Sequence, residues 1–308
     1  MKWIQLQITY VSDNPDTAAE LIFGQMYISG LTGLVETEPG RDETQDWAKD
    51  APKGADDYTM TGYYPATDTT ESVIQELLNG LTEVAGEGQF SFTAEKTVVD
   101  EENWAESWKE FFYPQRIGAH FVVKPTWREY DAKASDRIIG IDPGMAFGTG
   151  SHATTSLCLE VMEELGLRDK TVLDIGTGSG ILMVGAALLG ATHITGTDID
   201  PVTMEVAKEN LDVNCISADR YDLRQGDLAS VVSDTYDIVM ANILTDVILR
   251  LLPDIHRVVH KESVLLVSGI IEENESILFK KMTDVGFTYI CTKKKDGWVV
   301  LWGRYRPE

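Results

Sequence analysis

The chain has 308 residues, 43% of them hydrophobic, which is too long for one small domain and enough apolar material for real cores, so two domains are expected. Its 26 Lys and Arg against 50 Asp and Glu give a formal charge of -24, which argues against a nucleic-acid or anionic-membrane binder and favours a basic partner. Three cysteines, Cys158, Cys215 and Cys291, lie far apart without a CxxC pair, as expected of a reduced, cytoplasmic protein with no metal knuckle.

The opening "MKWIQLQITY" alternates polar and apolar residues and lacks the apolar core of a signal peptide. No apolar run reaches the ~18 residues of a membrane span, so a soluble chain without a membrane partner is expected. Within it "WIQLQITY" reads as a strand and "DTAAELIFGQMYISG" as a helix stopped by Gly30. "LTGLVETE" follows as a strand, then an acidic stretch to about Asp57, where Glu36, Glu38, Asp42, Glu43, Asp46, Asp50, Asp56 and Asp57 face only Arg41, Lys49 and Lys53. That stretch is either a solvated loop or a steering surface for a Lys/Arg-rich protein. "YTMTGYYP", "TTESVIQELLNGLTEV" and "QFSFTAEKTVV" then read as strand, helix and strand. The order βαββαβ predicts a ferredoxin-like α+β domain over residues 1–99.

"DEENWAESWKEFFYPQRIG" places Trp104, Trp108, Phe111 and Phe112 at helical spacings and predicts a linker helix over 100–118, its aromatics serving packing, with a candidate hinge here or at Gly118. From 119 to 308, after strand-like "HFVVKPTW" and "DRIIGIDPG", strands and helices alternate: "TVLDIG", "GILMVGAALLGA", "HITGTDID", "PVTMEVAKENLDVN", "YDIVMANI", "DVILRLLPDIHRVV", "SVLLVSG" and "ESILFKKMTDVG". Such alternation predicts a parallel, doubly wound, Rossmann-like α/β sheet. The tail "YICTKKKDGWVVLWGRY" predicts a hairpin turning at Asp296 and Gly297 on the sheet edge.

"TVLDIGTGSG" is a strand that breaks at Gly176, turns through Gly178 and Gly180 and opens a helix, so backbone must pass close to a ligand or a neighbouring element there. A nicotinamide fingerprint needs G-x-G-x-x-G, and Gly180 follows Gly178 too soon for it. Asp198 ends the next strand 22 positions beyond Gly176, near the distance at which an acid meets ribose hydroxyls; Asp200 is the less favoured acid. G-x-G-x-G with a strand-end acid is the pattern of S-adenosylmethionine enzymes, a cofactor without pyrophosphate. "DPGMAFGTGSHATTS" carries Gly144, Gly148, Gly150, Thr149, Ser151, Thr154 and Thr155 ahead of a helix, either as an N-cap loop or as a lid over the methionine end. "YDIVMANIL" ends a buried strand at Asn242, a turn residue or an acceptor that aims an amine.

Together "DPGMAFGTGSHATTSLCLE", "VLDIGTGSGIL", "GTDIDP" and "ANIL", behind "WIQL" and "NWAESWKEFFYP", resemble the PrmA family of bacterial methyltransferases, which modify protein eleven of the large ribosomal subunit. The resemblance spans nearly the whole chain, and its AFGTG-x-H-x-TT loop is more diagnostic than the glycine turn. It implies S-adenosylmethionine as cofactor, with Thr155, Gly176, Asp198 and Asn242 carried over as binding residues, joined by Gly178 from the glycine turn, and Asn242 also as the catalytic candidate. It implies an N-terminal domain that recognises the protein substrate and an acceptor set of the α-amine and lysine ε-amines. The family usually has Pro where this chain has Ala153, a change that loosens the loop without removing a ligand. A free ribosomal protein is the expected partner, since assembled ribosomes expose polyanionic RNA, and a monomer is expected.

Three rivals have different consequences. A lysine methyltransferase of another protein, or a small-molecule methyltransferase, would keep the cofactor. An NAD-dependent oxidoreductase suffers from the glycine spacing, and an RNA-binding ferredoxin domain from the charge and the missing basic aromatic sheet motif. His152 is either a base or a residue that fixes loop geometry. His120, His193, His256 and His260 have no ligand spacing, and no metal is expected.

Overall fold

A computed structural model describes residues 2–31, 33–37, 57–88, 90–100, 113–142 and 152–307. The acidic stretch, most of the linker segment and residues 143–151 of the glycine-threonine loop lie outside them. The chain divides into two compact units, Met1–Tyr113 and Pro114–Glu308.

In the first unit the elements are β1 (Lys2–Ser12), α1 (Pro15–Ile28), β2 (Gly33–Thr37), β3 (Tyr58–Pro65), α2 (Thr70–Gly88) and β4 (Phe90–Asp100). The sheet order β2-β3-β1-β4, antiparallel throughout, is that of the expected ferredoxin-like fold. Period-two alternation in β1 sends Ile4, Leu6, Ile8 and Tyr10 to one face, where they pack on Ala18, Ile22 and Met26 of α1 and Ile74, Leu77 and Leu81 of α2. Helix α1 starts where Pro15 presets φ and the Asn14 side chain accepts the Thr17 N–H.

The second unit opens with β5 (Gln115–Ile117), β6 (Phe121–Lys124) and β7 (Arg137–Gly140), a small sheet of its own. Residues 115–117 therefore correct the C-terminal end of the expected linker helix. "QRI" pairs with Phe121–Val123 across a turn at Gly118, where φ is +60°, and that hairpin satisfies backbone groups that a helix could not extend through the turn. Gly118 is also a poor hinge, because Glu163 accepts the N–H groups of Ala119 and His120 at 2.8 and 2.9 Å and clamps the turn.

The remaining elements are α3 (Ala153–Leu165), β8 (Thr171–Ile175), α4 (Ile181–Leu188), β9 (His193–Asp198), α5 (Pro201–Val213), β10 (Tyr221–Gln225), β11 (Tyr236–Asn242), α6 (Thr245–Leu251), β12 (Val259–Ile271), α7 (Glu275–Asp284), β13 (Phe287–Lys295) and β14 (Trp298–Tyr305). Their sheet runs β10-β9-β8-β11-β12-β14-β13, parallel from β10 to β12 and antiparallel at β14 and β13. The central strands are continuous apolar runs because both faces are covered. Val172, Ile238, Met240 and Leu266 face α3 and α4, while Leu173, Ile175, Val239 and Leu265 face α6 and α7. Strand β10, "YDLRQ", was not among the expected elements: it lies on the sheet edge, and its exposed polar residues hide the strand period. The hairpin turn falls at Asp296 and Gly297 as expected, with φ of +50° and +77°.

Helix α3 begins at Ala153, with His152 at the N-cap in extended backbone, φ -69° and ψ 139°. That is the conformation a residue before proline adopts, and the first helical position loses nothing by lacking an N–H. Ala153→Pro should therefore stabilise the protein by about 0.4–1 kcal/mol, a rise of a few degrees in thermal midpoint. A lowered midpoint in a calorimetric scan would show that this position does not tolerate the ring.

Candidate active site

Strand β8 and strand β11 are neighbours, yet the chain leaves β8 toward β9 and β10 and leaves β11 toward β12. Their carboxyl ends flank the crevice of a topological switch point, where open α/β sheets bind ligands. Gly176, Gly178 and Gly180, at φ of +72°, +54° and +78°, make the turn out of β8 in backbone that favours glycine. The Thr197 carbonyl accepts the N–H groups of Gly176 and Thr177 at 2.8 and 3.0 Å, tying the turn to β9. A Cβ on Gly176 would lie 2.4 Å from Ile243 Cγ2 and force that side chain aside, while one on Gly180 would lie 3.1 Å from Ala207 Cβ, a tight contact in backbone whose positive φ already favours glycine.

The candidate residues form one connected set. Asp198 Oδ2 accepts the Gly178 N–H at 3.0 Å, and Oδ1 accepts the Asp200 N–H at 3.1 Å. Gly176 abuts Ile243, the residue after Asn242. Asn242 Nδ2 reaches Thr155 Oγ1, on the first turn of α3, at 3.5 Å. Asn242 Oδ1 is buried and has no partner among the described residues. An acceptor left so costs about 1–3 kcal/mol until something donates to it. Asp200 is occupied as the N-cap of α5, accepting the Val202 N–H at 2.8 Å.

His152 serves as a helix cap. Its Nδ1 accepts the Thr154 N–H at 3.3 Å and lies 2.7 Å from Thr154 Oγ1, and its ring meets Trp298 edge-on with centroids 4.9 Å apart. Lys295, on the same hairpin as Trp298, donates to Ser156 Oγ at 3.0 Å. The C-terminal hairpin thus braces the helix start that carries Thr155.

Sequence reading missed three features. Asp174, inside the quoted glycine run, is fully buried; its Oδ2 accepts from Thr177 Oγ1 at 2.7 Å, and its Oδ1 has no partner among the described residues. Burial first, and the nearby Asp198 carboxylate, push it from an ordinary 3.8 up to about 7, against the smaller downward pull of Thr177. An acid within an apolar strand was the available signal. Ile199 and Leu244 are 67% and 72% exposed beside the ends of β9 and β11, apolar surface that a ligand could cover.

A doubly wound sheet with this glycine turn, strand-end acid and buried strand-end amide defines a class I S-adenosylmethionine-dependent methyltransferase. A family model described as ribosomal protein L11 methyltransferase (PrmA) matches residues 2–306. Proteins called ribosomal protein L11 methyltransferase in Fusobacterium nucleatum and Desulfitobacterium hafniense are each 38% identical to this chain, over 97% and 99% of both partners respectively. The crystal structure of ribosomal protein L11 methylase from Lactobacillus delbrueckii subsp. bulgaricus, 29% identical, covers 64% of this chain and 100% of its own, with a TM-score of 0.60. The chain belongs to the ribosomal protein L11 methyltransferase family, and S-adenosylmethionine is its cofactor.

Asp174 gives the cofactor-free protein a pH signature. A carboxyl that ionises less readily folded than unfolded leaves the unfolded state with fewer protons between the two pKa values. Stability therefore falls as pH rises from near 3.8 to about 7 and levels off beyond, a displacement worth on the order of 4 kcal/mol. Asp174→Asn should flatten that fall when denaturant midpoints are compared between pH 5 and 8; an unchanged slope would mean that Asp174 is not the group responsible.

Proposed function

We propose that this protein transfers methyl groups from S-adenosylmethionine to the N-terminal α-amine and lysine ε-amines of ribosomal protein L11. L11 as the protein substrate follows from the family to which the chain belongs. In this reading the substrate is free L11, the enzyme acts as a monomer in the cytoplasm, and no nucleic acid takes part. The acidic balance of -24 supports it, attracting a basic ribosomal protein and repelling the RNA of an assembled ribosome.

One observation carries the reading: the buried Asn242 Oδ1, which has no partner among the described residues, stands at the carboxyl edge beside Thr155, linked through Ile243 to the glycine turn. These residues fit the cofactor by the chemistry of their donor set. Asp198 holds its carboxylate on backbone N–H groups, and each oxygen keeps a lone pair for a ribose hydroxyl. Gly176 and Gly178 would hold it with a turn free of side chains, Thr155 would supply a hydroxyl, and Ile199 would offer apolar cover. When bound, the cofactor supplies an electrophilic methyl group on a sulfonium.

Asn242 Oδ1 accepts an N–H of the incoming amine and aims the nitrogen lone pair. A lysine with an ordinary pKa of ~10.4 arrives protonated, and a partly desolvated site favours the neutral form, with the proton passing to water. His152 is engaged as a cap, so the acceleration comes from positioning, worth roughly 7–11 kcal/mol where alignment is good.

Intact mass spectrometry of free L11 incubated with the protein and S-adenosylmethionine tests the reading. L11 should gain methyl-mass steps, and Asp198→Ala should abolish them by weakening cofactor binding. Asn242→Ala should lower kcat by about 10–100-fold, the worth of one buried hydrogen bond, while S-adenosylhomocysteine still binds. Cofactor binding without any mass gain on L11 would sink the acceptor assignment.

A further inference from the structure

The sheet carries one irregularity beside Asn242. Val267 pairs with Leu301 and Ile270 with Val299, so β12 contains one residue more than β14 across this step, and the excess falls at Ser268 and Gly269. Gly269 has φ +82°, and a Cβ there would lie 2.4 Å from the Ile243 carbonyl oxygen and 2.9 Å from its carbonyl carbon. Those atoms are backbone and cannot swing aside, so only glycine lets the end of β11 lie this close. At the same bulge the Ser268 carbonyl accepts the Ile243 N–H at 3.1 Å. The fully buried Ser268 hydroxyl faces the Val299 carbonyl at 3.2 Å and the Thr154 carbonyl at 3.5 Å.

Two residues of β12 therefore touch both elements that meet in the site, the end of β11 that carries Asn242 and the first turn of α3 that carries Thr155. The bulge also returns Ile270 to the core face shared by Val267, which by itself is a purely structural service. Its contacts with Ile243 and Thr154 go beyond that service.

We propose that the Ser268–Gly269 bulge is a positioning device for methyl transfer, setting the Asn242 amide against Thr155 and acting on the amine only through Asn242. The inference rests on the role given above to Asn242. Asp198, at the end of β9, and Gly178, in the turn after β8, do not touch the bulge, so orientation of the acceptor should suffer far more than cofactor affinity.

A double-mutant cycle tests it, with steady-state L11 methylation measured for the full chain, Gly269→Ala, Asn242→Ala and the pair, alongside S-adenosylhomocysteine affinity by calorimetry. Gly269→Ala should lower kcat by about tenfold or more, with KM for L11 and product affinity within about threefold, and should cost less than about twofold more once Asn242 is Ala. Equal fold losses in both backgrounds would overturn the proposal and leave the bulge a structural feature. Should Asn242→Ala retain full kcat, the role of Asn242 fails and the proposal with it, an outcome distinct from an impaired Asn242→Ala with additive losses. If Gly269→Ala does not unfold cooperatively, Ser268→Ala takes its place in the cycle: a loss of about threefold that vanishes beside Asn242→Ala supports the proposal, and an undiminished one overturns it.

Discussion

Two adjacent parallel strands whose chain continues in opposite directions form the constraint on which the catalytic unit depends. Because β8 feeds leftward and β11 rightward across the sheet, no crossover helix covers the crevice between their carboxyl ends. The glycine turn, the acid at the end of β9 and the amide at the end of β11 are all consequences of that opening. The acid and the amide are the last residues of their strands, and the glycine turn follows directly on β8, so all three stand where the ladder ends and a side chain or backbone group can face a ligand. The turn is held from beneath by the Thr197 carbonyl and from the side by Asn210, whose Nδ2 donates to the Ser179 carbonyl at 2.8 Å.

Electrostatics reinforce this geometry. The catalytic unit keeps Asp174 beneath the turn, where burial above all discourages its ionisation and the Asp198 carboxylate adds a lesser push in the same direction. Several of its other acids brace the C-terminal hairpin. The edge strand β13 carries Lys293 and Lys294, paired with Glu160 and Glu164 on α3 and with Glu272 and Glu275 at the start of α7. A charged, paired edge resists pairing with a second sheet, and the same hairpin delivers Trp298 and Lys295 to the start of α3. Edge protection and support of the site are one piece of chain.

Much of this was legible from residue order. The ferredoxin-like order, the doubly wound half, the glycine turn and the final hairpin follow from local signals, namely alternation, helical spacing, glycine and the Asp-Gly turn, which act over a few residues. The charged edge strand β10 was not, because a strand half in water loses the apolar period that marks it. The end of the supposed linker helix was misread for a related reason: Gln115–Ile117 has no strand signature, and only its partner at Phe121–Val123 makes it one.

The candidate residues divide in the same way. Sequence alone determined that Gly176, Gly178, Asp198 and Asn242 would stand at strand ends, since strand lengths and turn residues are written locally. Tertiary structure decided that Asp198 meets Gly178, that Asn242 meets Thr155 across 87 residues, that His152 is a cap and that Asp174 is an acid kept from water. Hydrogen-bond partners and desolvation belong to pairs of residues distant in the chain, and such pairs exist only once the sheet has brought their strands together.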